Sequence, residues 1–206
     1  TPNTSSAASD VYKRQLGAGP SGFAYYPGVG LPQRYRGHFF LCNYTGNGGI
    51  ESFAVKPKGA GFEIIDERDF LKPIKATDVE FGYDGKVYVS DFVNLDWSGK
   101  SLGGRIYTLF HPELTKLGSP SWRTAKLFRE GFRNRSREDL MFQQLIHNDF
   151  RVRLRAQFEL VRRVLKEGDE ETLRLLGNFA VTDFTAGVNQ RHAIWALGQI
   201  GRTKPQ

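Results

Sequence analysis

The sequence predicts two structural classes in succession: a fragment of an all-β propeller over residues 16–111 and an all-α helical repeat region over residues 136–202. Short alternating apolar segments broken by Gly, Pro, Asn and Asp fill the first region. After residue 136 the apolar period becomes 3.6 residues. The net charge of +7 divides in the same way, since residues 16–111 carry ten basic and ten acidic residues, whereas residues 112–206 carry seventeen and eleven.

The first region is expected to consist of strands joined by turns. Asp84-Gly85 stands between two alternating runs, and both residue types tolerate a positive φ, so residues 77–91 are predicted to form a hairpin. Each other strand is bounded by similar turn residues. Strands are predicted at 22–26, 38–43, 49–55, 61–66, 77–82, 86–91 and 104–110.

An internal repeat predicts how these strands are grouped. Residues 21–25 align with residues 77–81 at an offset of 56 positions, and residues 50–53 align with residues 106–109 at the same offset. Two repeats of about 56 residues with about four strands each are typical of propeller blades. Since two blades cannot close a ring of about four to eight, we expect the chain to be a fragment of a longer protein.

The second region is expected to contain paired helices. Two of these helices repeat at an offset of 37 residues, which places Ala156 opposite Ala193 and Leu160 opposite Leu197. The two segments resemble the inner helices of short HEAT repeats, in which a small Ala lets neighbouring helices approach. Helices are predicted near 136–146, 149–167, 170–180 and 189–200.

Two segments lie outside the predicted units. Residues 1–15 are expected to be a disordered leader that is not native to the fold, and residues 112–135 to be a basic junction. The cations of 121–137 allow a nucleic-acid or anionic-lipid patch. They also allow a solvated linker helix whose Phe128 and Phe132 dock on the propeller while the cations face water, and we favour this interpretation because no nucleic-acid module is recognisable. No nucleic-acid partner is expected.

Three small motifs carry little functional signal. Residues 17–22 match a GxGxxG pattern but lack the preceding strand and following helix of a dinucleotide site. Residues 94–99 match part of a calcium loop, with Arg105 where a glutamate belongs, so turn chemistry is favoured and a cation site stays open. The single cysteine, Cys42, is expected to be a small core residue. No metal site is assigned.

Several runs together resemble a known family: residues 19–26, 36–41, 77–91 and 104–107 are similar to the last blades of soluble quinoprotein sugar dehydrogenases. The look-alikes include the large propeller-plus-HEAT proteins of planctomycete-type bacteria, often labelled membrane-bound dehydrogenases and often ending in a cytochrome c. The resemblance covers roughly residues 19–110.

The resemblance implies an extracytoplasmic, periplasmic or extracellular dehydrogenase that oxidises a sugar or alcohol. It implies pyrroloquinoline quinone and calcium as cofactors, electron transfer to a cytochrome c domain of the same parent chain, and further blades and HEAT repeats as partners. Family members place cofactor-facing arginines where this chain has Lys75 and Thr77, and Asp91 takes the acidic position that ends the hairpin. These three residues are the predicted cofactor-binding residues, and no catalytic residue is assigned.

A non-catalytic function stays open beside the dehydrogenase. In that alternative, both regions are recognition surfaces for protein or carbohydrate partners. The absence of both arginines favours it, because lysine offers a point charge instead of the two-pronged donor set that arginine presents to a carboxylate.

Overall fold

The structure, a computed structural model, describes residues 17, 19–45, 48–93, 103–181 and 187–203. These residues form two compact units. The sheet unit takes in the described residues up to Tyr26, together with Pro32–Gly82 and Lys86–Phe110. The helical unit takes in Pro27–Leu31, Tyr83–Gly85 and the described residues from His111 onward.

The sheet unit contains two antiparallel sheets, ordered β1-β2-β3-β4 and β5-β6-β7, so every neighbouring pair of strands within a sheet is consecutive in sequence. A 3-10 turn, Gln33–Tyr35, precedes β2. The strands are β1 Pro20–Tyr25, β2 Phe39–Asn43, β3 Gly49–Lys58, β4 Gly61–Leu71, β5 Ala76–Phe81, β6 Val87–Asp91 and β7 Arg105–Leu109. The predicted hairpin is confirmed, because β5 pairs with β6 in register from Phe81 opposite Val87.

The two sheets meet through β1 and β5. Ser21 Oγ donates a hydrogen bond to the Ala76 carbonyl oxygen over 2.9 Å. Gly22 permits this approach, because a Cβ at that position would lie 2.5 Å from the Cα of Asp78. Alternate residues of β5 and β6, such as Val79 and Val89, are then fully buried, as expected for strands with one face on a core.

One face of the four-stranded sheet carries a row of aromatic rings. The rings of Phe23 and Phe39 stack with centroids 5.3 Å apart, and the rings of Phe39 and Phe53 stack at 5.7 Å. Phe23 remains 58% exposed and Tyr25 remains 42% exposed. The row therefore joins strands β1, β2 and β3 by ring contacts while it leaves apolar surface open.

The helical unit consists of short helices with well-defined ends. Ser119, Ser136 and Asp149 act as N-caps, each side chain accepting a hydrogen bond from a backbone N–H of the first turn. Gly168, in the left-handed region at φ 69°, ends the long helix. The helices are α1 Pro112–Thr115, α2 Pro120–Glu130, α3 Arg137–Asp139 with the π-helical turn Leu140–Gln144, α4 Phe150–Arg162 with the π-helical turn Arg163–Glu167, α5 Glu170–Val181 and α6 Val188–Thr203.

One apolar core holds these helices together. Its fully buried side chains come from every helix beyond α2 and include Leu140, Leu160 and Leu176. The turns at 27–31 and 83–85 belong to the same compact unit. The Pro27 carbonyl oxygen, for example, accepts the N–H of Phe150 at the start of α4 over 3.0 Å.

The predicted fold class, a propeller fragment followed by an all-α HEAT-like region, is wrong. The described residues form two small open sheets of four and three strands beside short helices, which is a mixed α and β architecture. The repeat predicted the strands themselves, but a repeat of sequence does not determine whether sheets close around an axis. The helical unit is not all-α either, because turns from the strand region are part of it.

The individual elements are closer to expectation. The seven predicted strands and the four predicted helices are all present, with ends that differ by a few residues. The Ala and Leu positions of the 37-residue repeat are buried, except that Leu197 is half-buried. Among the described helices, none is long and apolar enough to cross a membrane.

Candidate functional site

The three predicted cofactor-binding residues come together at one end of the three-stranded sheet. Asp91 closes β6 opposite Ala76, and a register shift between Ala76 and Asp78 makes Thr77 the extra residue of a bulge. Asp91 Oδ1 accepts the backbone N–H of Lys75 over 2.8 Å. We call Lys75, Thr77, Ser90 and Asp91 the sheet-end cluster.

Hydrogen bonds within the sheet-end cluster engage most of its polar atoms. The hydroxyl oxygens of Thr77 and Ser90 lie 2.7 Å apart, and the Phe92 N–H donates to the Lys75 carbonyl oxygen over 3.0 Å. Asp91 is 8% exposed. The carboxylate and hydroxyl therefore fix the bulged strand end.

This cluster fits pyrroloquinoline quinone only in part. A quinone that carries several carboxylates requires several cationic donors, and the cluster offers the single ammonium group of Lys75. Asp91 is an acceptor, is buried, and already holds a backbone N–H. The cluster therefore lacks most of the cationic donors that the quinone requires.

The remaining sequence motifs lie mostly outside the described residues. The candidate cation loop residues Asn94, Asp96, Ser98 and Gly99 lie outside the described residues, as does part of the GxGxxG run. In the ranges that the structure describes, no group of three His, Cys, Asp or Glu side chains is placed to hold a metal ion.

Cys42 is confirmed as a core residue. Its side chain is fully buried, and burial raises the pKa of its thiol to about 12. A thiol with that pKa is almost entirely protonated at neutral pH and is a poor nucleophile.

A buried polar network links α4 to α6 in the helical unit. His192 Nδ1 lies 2.7 Å from Gln157 Oε1, and Arg153 Nε donates to His192 Nε2 over 3.3 Å. Burial lowers the pKa of His192 to about 4, and the nearby Arg153 and Arg191 guanidinium groups act in the same direction. The imidazole is therefore neutral, donates through Nδ1 and serves to join two helices.

A cleft of about 780 Å³ opens in the helical unit beside α2 and α4. Its apolar surface is mostly aromatic. The rings of Tyr83 and Phe128 stack with centroids 3.8 Å apart, while Phe158 on α4 is 48% exposed. The cleft is lined by Tyr83, Ala125, Phe128, Arg129, Gly131, Phe132, Arg133, Arg155, Phe158, Glu159 and Arg162.

The cations of this helical cleft fall into two groups. Arg162 forms ion pairs with Glu159 and Glu167. In contrast, no carboxylate in the described part of the chain forms an ion pair with the guanidinium groups of Arg129, Arg133 or Arg155. These three side chains are exposed, so the cleft combines an apolar wall with unpaired positive charge.

Glu159 does not neutralise those three cations. Its carboxylate accepts hydrogen bonds from Arg162 over 2.7 and 2.8 Å and from Arg163 over 3.0 Å. The bonds from Arg162, the largest cause, and from Arg163 hold the pKa of Glu159 below its ordinary value. Arg163 also donates to the carbonyl oxygens of Arg133 and Arg135, which fixes the turn after α2.

The sequence predicted the basic helix at this cleft but not the residues that α4 contributes to it. The basic stretch 121–137 was predicted to contain a solvated linker helix that docks Phe128 and Phe132 on the propeller. The helix is present as α2, but Phe128 instead packs on Tyr83 and Phe132 within the helical unit. The contribution of Arg155 and Phe158 was missed, although their spacing of three residues places them on one face of a helix.

Comparison with protein-family models, curated proteins and solved structures finds no match to the chain.

Proposed function

We propose that the chain binds a macromolecular partner, a protein or a carbohydrate, through the helical cleft. The observation that carries this proposal is the set of three unpaired guanidinium groups around an aromatic wall. Like charges gathered on one concave surface repel each other, and an anionic or polar ligand relieves that repulsion. Arginine and aromatic side chains are also the residue types enriched where partners bind most tightly.

The size of the cleft agrees with this proposal. Small-molecule ligand sites occupy about 300–1,000 Å³ and are mostly apolar with a few placed polar groups. The helical cleft has a volume of about 780 Å³, and Phe132 beneath it is 9% exposed and part of the core. A rigid wall of this kind reduces the entropy lost on binding.

A four-probe titration of the whole chain tests the proposal. The probes are a fluorescein-labelled peptide of glutamate and leucine, the same peptide with glutamine for glutamate, a neutral oligosaccharide and a sulfated oligosaccharide. We expect saturable binding of at least one probe, and at least tenfold weaker binding by the double variant Arg129→Glu, Arg155→Glu.

Lys166→Glu is the control for charge reversal, because it exchanges one cation for one carboxylate at an exposed residue of the same unit outside the cleft. We expect its affinity to lie within twofold of the unmodified chain. Failure of all four probes, or equal loss in the double variant and the control, would overturn the proposed binding function.

A second candidate is the quinone-dependent oxidation of a sugar or alcohol, with electrons passed to a cytochrome c. It is supported by the resemblance over residues 19–110 and by the position of Lys75, the one cation of the sheet-end cluster, beside the buried Asp91. In this proposal Lys75 would bind a quinone carboxylate, and the quinone would supply the two-electron oxidation.

Titration of the chain with pyrroloquinoline quinone and calcium tests this candidate. Binding with about tenfold weaker affinity in Lys75→Ala, and no change in Lys58→Ala at the far end of β3, would support it. No saturable binding at tens of micromolar quinone would exclude it for this chain.

A further inference from the structure

We infer that the partner of the helical cleft is an acidic peptide segment that carries a large apolar side chain. This inference rests on the proposed binding function and narrows it from macromolecules in general to one chemistry. It follows from three properties of the cleft: which polar groups lack partners, what its apolar wall can receive, and which ring faces are already covered.

The unpaired charged groups of the cleft are all donors. Each of Arg129, Arg133 and Arg155 presents five N–H donors and no acceptor. The carboxylate in the same wall, Glu159, is already held by Arg162 and Arg163. A neutral sugar requires acceptors as well as donors for its hydroxyl groups, whereas a carboxylate accepts two parallel N–H bonds from one guanidinium group. The ligand is therefore an anion.

The apolar wall favours a peptide over a sulfated sugar. Phe158 exposes about half of its side chain beside Arg155, three residues away on the same helix face. A leucine or phenylalanine placed on this ring buries apolar area, while neighbouring glutamates or aspartates meet the guanidinium groups. A sulfated sugar supplies the charge but no apolar group of that size.

The ring contacts argue against a stacked nucleobase at the most conspicuous aromatic residue. Phe128 stacks on Tyr83 with ring centroids 3.8 Å apart, and the Arg151 guanidinium carbon lies 4.7 Å from the centroid of the same Tyr83 ring. Neighbours within the protein thus already contact the π surface of Tyr83, whereas recognition of single-stranded nucleic acid depends on open faces.

The experiment is fluorescence anisotropy of the whole chain with the labelled glutamate–leucine peptide, its glutamine counterpart, and a glutamate–serine peptide that keeps the charge but lacks apolar side chains. We expect both replacements to weaken binding at least tenfold. Binding is expected to weaken as sodium chloride rises from 50 to 500 mM, because the ion pairs are solvent-accessible.

Single variants test which residue makes the charge contact with the peptide and which makes the apolar contact. Arg155→Gln is expected to lower affinity for the glutamate–leucine peptide about tenfold and to leave affinity for the glutamine peptide unchanged, while Arg155→Lys recovers part of the loss. Phe158→Ala is expected to weaken binding of the glutamate–leucine peptide but not of the glutamate–serine peptide. Lys166→Glu is the control, and thermal unfolding of each variant verifies the fold.

Each outcome distinguishes this inference from the broader function. Tighter binding of the neutral or sulfated oligosaccharide, abolished by Arg129→Glu with Arg155→Glu, would overturn the peptide inference and leave the binding function supported. Equal binding of the glutamate–leucine and glutamine peptides would also overturn the inference. Absence of binding by every probe would overturn both.

Discussion

The sheet-end cluster and the helical cleft both gather charged side chains, but they use them in opposite ways. In the cluster, the Asp91 carboxylate holds the N–H of Lys75, and the Thr77 hydroxyl lies against that of Ser90. In the cleft, the guanidinium groups of Arg129 and Arg155 lie beside exposed aromatic rings, and no described carboxylate pairs with them.

The difference shows how to distinguish polar groups that stabilise the fold from charged groups that are available to bind a partner. A polar group that is buried and bonded to the backbone stabilises the fold, and its removal leaves an unsatisfied partner. A charged group that is exposed and unpaired contributes little to the fold and is available to a ligand. Separate measurements of stability and of binding test this division.

The largest expected effect on stability belongs to His192, a bonded group of the helical unit. Its pKa is about 4 in the folded chain, against an ordinary value of 6.5, because of burial. As pH falls below 6.5 the unfolded chain takes up a proton that the folded chain does not, so stability is lost between about pH 6.5 and pH 4. The loss from this group is on the order of 2–3 kcal/mol.

Urea unfolding at pH 7 and pH 4 compares the unmodified chain with His192→Gln. On acidification, the variant is expected to lose on the order of 2–3 kcal/mol less unfolding free energy than the unmodified chain. His38 and His147 also have pKa values lowered by burial, and their contributions cancel in the comparison. Identical pH dependence of the two proteins would show that His192 is not held neutral by the network.

The next effect is expected at Asp91. Replacement by alanine leaves the Lys75 N–H without its acceptor at a buried sheet end, which costs about 1–3 kcal/mol of unfolding free energy. Glu80→Ala, at an exposed residue of β5, is expected to stay within about 0.5 kcal/mol. If urea unfolding gave equal stabilities for the two variants, Asp91 would be available for a ligand and the comparison would fail.

The smallest effect is expected at Arg155. Arg155→Gln removes a charge that pairs with no described carboxylate, so the free energy of unfolding is expected to change by less than about 0.5 kcal/mol. Thermal unfolding followed by circular dichroism measures it. A loss of unfolding free energy above about 1 kcal/mol would show that Arg155 stabilises the fold.

Local elements were predictable because their signals are local. The Asp84-Gly85 turn fixes the hairpin, and Gly85 indeed has a φ of 80°. The N-caps Ser136 and Asp149 lie at the expected helix starts. These signals depend on residues a few positions apart, so the sequence displays them directly.

The arrangement of those elements was not predictable for a physical reason. The repeat of 56 positions describes similar strands but carries no signal for closure of sheets into a ring, and that part of the prediction is wrong. The cleft brings Tyr83 together with α2 and α4, which lie far along the chain. Arg135 pairs with Glu130 and Asp139. The sequence likewise could not show that Arg135 is paired and that Arg129 forms no ion pair with a described carboxylate.

The open aromatic row on the four-stranded sheet has a consequence for any dye-based assay of this chain. Environment-sensitive dyes become fluorescent on exposed apolar surface, and Phe23 and Tyr25 present such surface in the folded state. The native protein is therefore expected to give a high fluorescence baseline before heating. A bright signal at room temperature would report this row and not partial unfolding.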